Sequence, residues 1–340
     1  MYPYRSVLFV PGHKPQWAAK AVASGADAIV LDLEDSVPDD LKAGARQTVR
    51  ETVARLRDEG VRAGVFVRPN ALDTGLAGAD LEAVVTAGLT GLFVPKVRDR
   101  DDVLRFDTLI DWFERRNGTS GLEMIIPVET VEAIQNCRRI AAASPRVAAM
   151  VGPTAAHADI ARAVGYRWSR EGIETLYLRS RVLLACRERG LHPLTGLWEE
   201  LDDLEGLRAF AEQGRQLGFQ GQIVIHPSHV PVVNEVFSPD PAEVEFREGL
   251  VAAFEAAVAR GEAAVRYRGM HIDKAHADTA RQWLAHARLV GVAGRTGKDA
   301  PATDNDPPPP AGAERQPHGD RGPAPGPDAA VPDPVDPAKE

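Results

Sequence analysis

The sequence predicts an α/β fold, a (β/α)8 TIM barrel followed by a C-terminal helical extension. Short apolar runs alternate with helical patterns and give eight strand segments within about 230 residues. Polar residues directly follow several of these runs, at the place where barrel enzymes carry their chemistry. A doubly wound sheet is the alternative, but no glycine-rich dinucleotide fingerprint follows the first run. We therefore expect a closed barrel of parallel strands.

Each predicted strand is a short run of apolar and β-branched residues that ends at a turn signal or a polar residue. The second run is the clearest, because it ends abruptly in the carboxylates Asp32, Glu34 and Asp35. Such a run is typical of a strand that is buried on both faces of a parallel sheet. The predicted strands span residues 6–10, 28–33, 64–67, 91–94, 123–127, 147–151, 191–194 and 222–225.

Helical patterns follow these strands, with apolar positions on one face and charged positions on the other. The predicted helices of the barrel span residues 17–23, 41–56, 81–87, 101–115, 131–142, 175–189 and 204–217, and a loop and a segment at 159–164 follow the sixth strand. Two more helices, at residues 241–260 and 275–289, lie beyond the barrel, and a loop that carries Asp273 joins them. The predicted domains are a barrel over residues 1–240 and a helical extension over residues 241–295.

The last segment, residues 296–340, differs in composition from the rest of the chain. Residues 297–340 hold about a dozen of the 26 prolines, and nine acidic residues against four basic ones. Almost no large apolar side chain is present, so burial of this segment could not offset its chain entropy. We therefore expect a disordered, proline-rich acidic tail.

Charge and composition argue against several classes of protein. The formal net charge is −9, and a mildly acidic barrel provides no electrostatic footprint for nucleic acid. Cys137 and Cys186 are too few for a disulfide framework and indicate a reducing compartment. Neither a leader nor an apolar run long enough to span a membrane is apparent. The expectation is a cytoplasmic protein that binds neither nucleic acid nor membrane.

The polar residues around the strand ends predict a divalent metal and an anionic substrate. Glu129 and Asp159 follow neighbouring strands, and Mg²⁺ prefers one or two carboxylates with water or substrate oxygens. Each acid alone could instead be a helix N-cap or a surface residue. Arg68 could be a salt-bridge partner, although its planar fork also suits a substrate carboxylate. The polar residues expected at this face are Arg5, Asp32, Glu34, Asp35, Arg68, Asn70, Lys96, Glu129, Asp159 and His226.

Six motifs that contain these residues resemble the citrate lyase β-subunit (CitE-like) family of the HpcH/HpaI aldolase superfamily. The RSVLFVP motif and the LDLED block are specific to the family when they occur together, whereas the dipeptide HP or ET alone would be weak evidence for it. The resemblance covers about residues 4–290. The motifs are RSVLFVP at residues 5–11, LDLEDSV at 31–37, VRPN at 67–70, PKV at 95–97, ET at 129–130 and IHP at 225–227.

The resemblance implies a Mg²⁺-dependent lyase, with Mn²⁺ as the alternative ion. Such enzymes cleave or form the carbon–carbon bond of 3-hydroxyacyl thioesters, such as malyl-, citramalyl- or citryl-CoA, and the products of cleavage are acetyl-CoA and a 2-keto acid. The thioester is carried by CoA or by an acyl-carrier protein. Members are commonly homotrimers in which the C-terminal segment of one subunit, here residues 241–295, covers the active site of its neighbour.

The resemblance also assigns roles to individual residues. Glu129 and Asp159 match the metal ligands, and Glu34 and Asp35 would hydrogen-bond metal-bound waters. Asp273 matches the catalytic aspartate that relatives project into the adjoining subunit. Its local sequence alone favours a helix N-cap. The substrate-binding residues on this reading are Arg68, Arg5 and Lys96, with Arg5 also placed to stabilise enolate charge.

Two departures from the family pattern, and two rival functions, stay open at this point. Ala158 stands where relatives place an acid ahead of the second metal ligand, and such outer acids tune metal affinity. Thr195 stands where many relatives have an aspartate. The rival functions are a metal-dependent pyruvate-type aldolase that acts on free keto acids and a non-catalytic acyl-thioester-binding subunit. Lysis, condensation and thioester hydrolysis also remain open as the net reaction.

Overall fold

Eight parallel strands close into a barrel in sequence order, which confirms the predicted fold. The structure is a computed structural model that describes residues 3–294. Each strand is hydrogen-bonded to the next, and the last pairs with the first, since Ser6 stands opposite Gln222. The strands are β1 (Ser6–Pro11), β2 (Ala28–Asp32), β3 (Gly64–Arg68), β4 (Gly91–Phe93), β5 (Glu123–Pro127), β6 (Val147–Gly152), β7 (His192–Thr195) and β8 (Gly221–Val224).

Helices connect the strands and surround the barrel. The helices are α1 (Pro15–Ala23), α2 (Lys42–Asp58), α3 (Ala77–Val84), α4 (Arg100–Asn117), α5 (Val131–Ala141), α6 (Asp159–Val164), α7 (Ile173–Arg189), α8 (Leu204–Leu217), α9 (His229–Phe237), α10 (Pro241–Ala259) and α11 (Lys274–Gly294). Short 3₁₀ turns lie at Asp39–Leu41 and Leu72–Thr74. None of the helices within residues 3–294 combines the length and apolar character that a bilayer crossing requires.

Helix α9 was not predicted from the sequence. Its buried residues Val230, Val233, Val236 and Phe237 recur at helical spacing and could have indicated it. Pro231 argued against a helix at the sequence level, although a proline in the first turn of a helix removes no intrahelical hydrogen bond. A helix therefore follows β8 in the same way that α1 follows β1.

The barrel has two apolar layers, because successive strand residues point to opposite faces. One layer fills the barrel interior and includes Val30, Phe66 and Ile125. The other lies between the strands and the helices and includes Ile29 and Leu31. Because both faces of the strands are covered, each strand reads in the sequence as a nearly continuous apolar run.

Beyond the barrel, residues 264–273 form a β-hairpin where the sequence analysis expected a loop. Strand β9 (Ala264–Tyr267) pairs antiparallel with β10 (Met270–Asp273). Arg268 and Gly269 make the turn with φ angles of 43° and 88°. Two successive positive φ angles are typical of a type I′ turn, which suits a two-residue hairpin. The sequence did not indicate this turn, because its first position holds an arginine where Asn or Asp is usual.

Asp273 ends β10 and directly precedes α11. One of its carboxylate oxygens accepts a hydrogen bond from the backbone N–H of His276 at 3.2 Å. The interpretation of Asp273 as a helix cap is therefore confirmed. Its side chain is 45% exposed, so a carboxylate that caps the helix is also accessible from outside. The tail over residues 296–340 lies outside the described residues.

Arg5 lies at the opposite end of the barrel from the predicted site, so its expected place among the site residues is wrong. It precedes β1, and its Nε and Nη2 donate to the two carboxylate oxygens of Asp27 at 2.8 and 2.7 Å. Nη1 donates to Ser238 Oγ at 2.9 Å. A residue that precedes a parallel strand lies at the amino end of the barrel, whereas active sites form at the carboxyl end. Position in the motif was mistaken for position at the site.

We expect the Arg5→Ala substitution to weaken the fold and to leave the chemistry intact. The side chain of Asp27 is only 7% exposed and would lose its bidentate partner. Breaking a buried ion pair in this way typically costs about 3 kcal/mol of unfolding free energy. Urea denaturation would measure that loss, and kcat of the folded variant should equal that of the wild type. A lower kcat with unchanged stability would restore a catalytic role for Arg5.

Candidate active site

A buried ion pair between Asp32 and Arg68 joins the carboxyl ends of β2 and β3. Nε of Arg68 donates to Oδ1 of Asp32 at 2.6 Å, and Nη2 donates to Oδ2 at 2.7 Å. The same carboxylate accepts the backbone N–H groups of Glu34 and Ser36 at 2.9 and 3.0 Å. Burial alone would raise the pKa of Asp32, but the hydrogen bonds and charge of Arg68 outweigh it and lower that pKa.

The pair with Asp32 uses only one edge of the Arg68 guanidinium. A guanidinium carries five N–H groups and has a second bidentate edge formed by Nη1 and Nη2. Nη1 lies 3.1 Å from Oε2 of Glu34 and 3.5 Å from Oδ2 of Asp35. The guanidinium also lies over the ring of Phe9, at 5.1 Å from the ring centroid. Arg68 is therefore held in place by one edge while the other faces the acidic groups of the site.

Lys96 follows β4 and brings an ammonium group into this acidic cluster. Its Nζ lies 3.2 Å from Oε1 of Glu34, 3.4 Å from Oδ2 of Asp159 and 3.5 Å from Oδ1 of Asp35. Its backbone N–H donates to Oε1 of Glu129 at 2.6 Å. Partial burial works against the charge of Lys96, but the surrounding carboxylates outweigh it and raise the pKa of the lysine. Lys96 thus contacts acids from three different loops.

Glu34 is an acid of the cluster whose pKa is raised to near neutrality. Its side chain is only 5% exposed, and burial raises its pKa from 4.5 to about 7. Arg68 and Lys96 act in the opposite direction, while the neighbouring charge of Asp35 adds to the increase. A carboxyl group with a pKa near neutrality can either keep or release its proton at physiological pH.

Glu129 and Asp159 follow β5 and β6, and both line a cavity of about 820 Å³ at the carboxyl end of the barrel. Burial raises the pKa of Glu129. Asp159 is half-buried and also pairs with Arg162. Two carboxylates from adjacent strand ends fit Mg²⁺, which keeps several water or substrate ligands. Within residues 3–294, no cluster of three or more metal-ligating side chains is found.

The loop that carries Asp159 is held by Glu199, which the sequence analysis missed. The Glu199 carboxylate accepts the backbone N–H groups of Ala156 and His157 at 3.0 and 3.3 Å. One of its oxygens also lies 3.1 Å from Nδ1 of His157. An acid therefore reaches this loop from the segment after β7, although Ala158 itself carries none. No spacing in the sequence links residue 199 to residue 156, because the contact depends on barrel closure.

The segment after β7 approaches the Asp159 loop closely. A Cβ at Gly196 would collide with Oγ1 of Thr154, so only glycine fits at that position. Trp198 is buried beside this contact and packs edge-on against Trp168 at 5.5 Å. The two loops therefore form one wall of the large cavity.

The rest of the large cavity is mainly apolar and is lined by the segments that follow β1 and β8. This wall includes Trp17 on α1 and Ile225 after β8. His226 lies on it, as the strand-end pattern predicted. Asn70 instead serves the framework, because its amide and its backbone N–H both donate to the buried Asp80 at 2.7 Å. The cavity thus has a charged end at Arg68, Glu129 and Asp159 and a long apolar side.

A family model described as HpcH/HpaI aldolase/citrate lyase matches residues 5–227. A (3S)-malyl-CoA thioesterase of Cereibacter sphaeroides is 37% identical over 291 residues, which cover 86% of this chain and 97% of the relative. An L-malyl-CoA/beta-methylmalyl-CoA lyase of the same species is 35% identical over 311 residues, which cover 85% of this chain and 96% of the relative.

Solved structures agree with these relatives. CitE from Mycobacterium tuberculosis, in complex with magnesium, acetoacetate and coenzyme A, superposes with a TM-score of 0.64 at 28% identity and covers 84% of this chain and 98% of that one. A citrate lyase from Burkholderia xenovorans superposes with a TM-score of 0.74 over 86% of this chain and 93% of that one. Its identity is 19%, so this likeness concerns the fold alone.

The pKa of Glu34 gives a pH-dependent prediction for the metal-free protein. Because the folded pKa of about 7 exceeds the ordinary value of 4.5, ionisation of Glu34 weakens the fold as the pH rises through that window. Glu34→Gln should therefore be more stable than the wild type by about 1–3 kcal/mol at pH 8, and the difference should largely vanish at pH 5. Urea unfolding in EDTA at both pH values measures this. An equal difference at both pH values would contradict the predicted pKa.

Proposed function

The chain belongs to the HpcH/HpaI aldolase/citrate lyase family, and on that premise we propose that it is a Mg²⁺-dependent lyase of malyl-CoA-type thioesters. It is an enzyme of the carbon–carbon lyase type that acts on CoA thioesters. The proposed substrates are 3-hydroxyacyl-CoA esters with a free carboxylate, such as malyl-, citramalyl- or citryl-CoA. Cleavage would give acetyl-CoA and a 2-keto acid. We place the enzyme in the cytoplasm and allow Mn²⁺ as a substitute ion.

One observation carries this proposal. Glu129, Asp159 and Arg68 line the same cavity, whose remaining wall is mainly apolar and includes Trp17 of α1. A short hydroxy acid joined to a long thioester arm has the same two-part character. Two carboxylates and a guanidinium alone would also suit a free keto acid, but the long apolar wall favours the thioester.

Arg68 would orient the substrate through its second edge. Asp32 fixes the guanidinium, so that Nη1 and Nη2 could bind the substrate carboxylate in place of the contacts that Nη1 makes with Glu34 and Asp35. Mg²⁺ held by Glu129 and Asp159 would supply Lewis acidity toward the hydroxyl group and the carboxylate. Glu34 and Asp35 lie where they could accept hydrogen bonds from waters of the same site. Preorganisation of this kind aligns the bond that breaks.

A panel of malyl-, citramalyl- and citryl-CoA tests the function. Lysis releases a keto acid and no free thiol, whereas thioester hydrolysis releases a free CoA thiol and no keto acid. We expect keto acid release that is lost in EDTA and restored by Mg²⁺. Glu129→Gln and Asp159→Asn should abolish both turnover and Mg²⁺ binding in folded protein. Free thiol release without keto acid would assign the chain to the hydrolase branch, the activity named for the 37% identical relative.

We further propose that Asp273 acts in a neighbouring subunit of a homotrimer, as the family resemblance suggests. In a single chain, Asp273 caps α11 and does not line the large cavity. Its carboxylate is nevertheless 45% exposed, and it stands at the end of a hairpin. Delivered to an adjoining site, it would exchange a proton with the enolate carbon of the acetyl thioester.

Subunit mixing tests this proposal. Asp273→Ala should be nearly inactive with Mg²⁺ binding unchanged, and Glu129→Gln should be inactive through loss of the metal. Mixed trimers would contain sites with an intact metal centre from one subunit and Asp273 from the next, so the mixture should recover part of the activity. No recovery, under conditions where exchange of labelled subunits is demonstrated, would rule out a role in a neighbouring subunit.

A further inference from the structure

The His226-Pro227 motif has no role in the function described so far, and one task of the reaction has no residue assigned to it. Cleavage of the substrate places negative charge on the thioester carbonyl oxygen, a charge that Arg5 cannot reach from the amino end of the barrel. We propose that His226 is the catalytic hydrogen-bond donor to that oxygen. This inference rests on the proposed lyase function and adds a residue to its chemistry.

The hydrogen bonds of His226 fix which ring nitrogen carries the proton. Nδ1 accepts the backbone N–H of Ser228 at 3.3 Å and lies 2.7 Å from Oγ of the same serine. A backbone N–H can only donate, so Nδ1 is unprotonated and the serine hydroxyl also donates to it. The neutral ring therefore carries its proton on Nε2, and Nε2 is a donor.

His157, the other histidine on the cavity wall, has the opposite arrangement. Its Nδ1 faces a carboxylate oxygen of Glu199 at 3.1 Å, and an ionised carboxylate can only accept. Nδ1 of His157 therefore carries the proton, and Nε2 of the neutral ring is an acceptor. Of these two histidines, only His226 can donate to an oxygen in its neutral form.

The position of His226 suits the thioester rather than the hydroxy acid. It follows β8 and shares its wall with Ile223 and Ile225, whereas Arg68 and Glu129 line the charged end of the same cavity. In the substrate, the thioester carbonyl lies between the carboxylate and the long, uncharged pantetheine arm. Thr154, a further polar group of the cavity wall, directs its hydroxyl to the backbone oxygen of Leu197 at 3.5 Å. Trp17 and Lys20 of α1 also line the cavity and carry N–H groups, but His226 directly follows a barrel strand, where the groups of a barrel active site converge.

The step balances without consuming the proton of His226. The bond between the carbinol carbon and its neighbour breaks, and its electron pair moves into the acetyl thioester to give an enolate with charge on oxygen. One proton leaves the hydroxyl group as the keto acid forms, and one proton arrives at the enolate carbon. Nε2 of His226 donates a hydrogen bond throughout, and this bond strengthens as the oxygen becomes charged.

Deuterium exchange isolates this role from carbon–carbon cleavage. Acetyl-CoA incubated with the enzyme and Mg²⁺ in D₂O should exchange its methyl hydrogens through the same enolate, which mass spectrometry detects. His226→Ala should lower the exchange rate about 10²-fold, the usual effect of removing one oxyanion donor, with Mg²⁺ affinity unchanged. His226→Gln should keep most of the rate, because its amide N–H has similar reach. Ser228→Ala should lose little of the exchange rate, since the backbone N–H of residue 228 still donates to Nδ1 of His226.

Each outcome decides between the proposals. His226→Ala with a wild-type exchange rate would overturn the role of His226 and leave the lyase function standing. An equally large loss in His226→Ala and His226→Gln would also overturn it, because an N–H donor would then not be what matters. If wild-type protein with bound Mg²⁺ shows neither exchange nor keto acid release, the lyase function fails, and the role of His226 fails with it. Because the imidazole is exposed, these substitutions should leave the fold intact, which circular dichroism checks.

Discussion

The ion pair between Asp32 and Arg68 organises the site. It joins the ends of β2 and β3, and its carboxylate also accepts two N–H groups of the loop that follows β2. The pair therefore fixes three things at once: the plane of the guanidinium, the direction of its free edge and the path of the loop that bears Glu34. Because a planar guanidinium can use both edges, the same residue serves the framework and the substrate. A lysine at position 68 lacks the two edges of a guanidinium, so it could not pair with Asp32 and bind the substrate in this way at the same time.

Charge imbalance explains much of the chemistry around this pair. Negative groups outnumber positive ones at the carboxyl ends of β2 to β6, and several of them are buried. Burial of uncompensated carboxylates raises the pKa of Glu34 and of Glu129. A divalent cation is the natural complement, since it neutralises two charges and binds oxygen. The groups involved are Asp32, Glu34, Asp35, Glu129 and Asp159, facing Arg68 and Lys96.

The sequence predicted those parts of the structure that depend on local pattern. Apolar runs predicted the strands, and the polar residues directly after those runs predicted the acids of the site. Arg5 was misplaced because its place in a family motif was given more weight than its place before the strand at residues 6–10, which puts it at the amino end of the barrel. Glu199 was missed because its contact with the Asp159 loop arises only when β6 and β7 lie side by side. The hairpin was missed because an arginine occupies a turn position with positive φ.

Lys96 adopts a left-handed backbone conformation, with φ of 52°. For a residue with a side chain this conformation costs about 1 kcal/mol, and glycine would avoid that cost. The strained backbone presents its N–H to Glu129, while the side chain reaches the acids of two other loops. Glycine would relieve this strain but would leave Glu34, Asp35 and Asp159 without their ammonium partner. The lysine thus marks a position where the chain tolerates local backbone strain to keep an ammonium group in its active site.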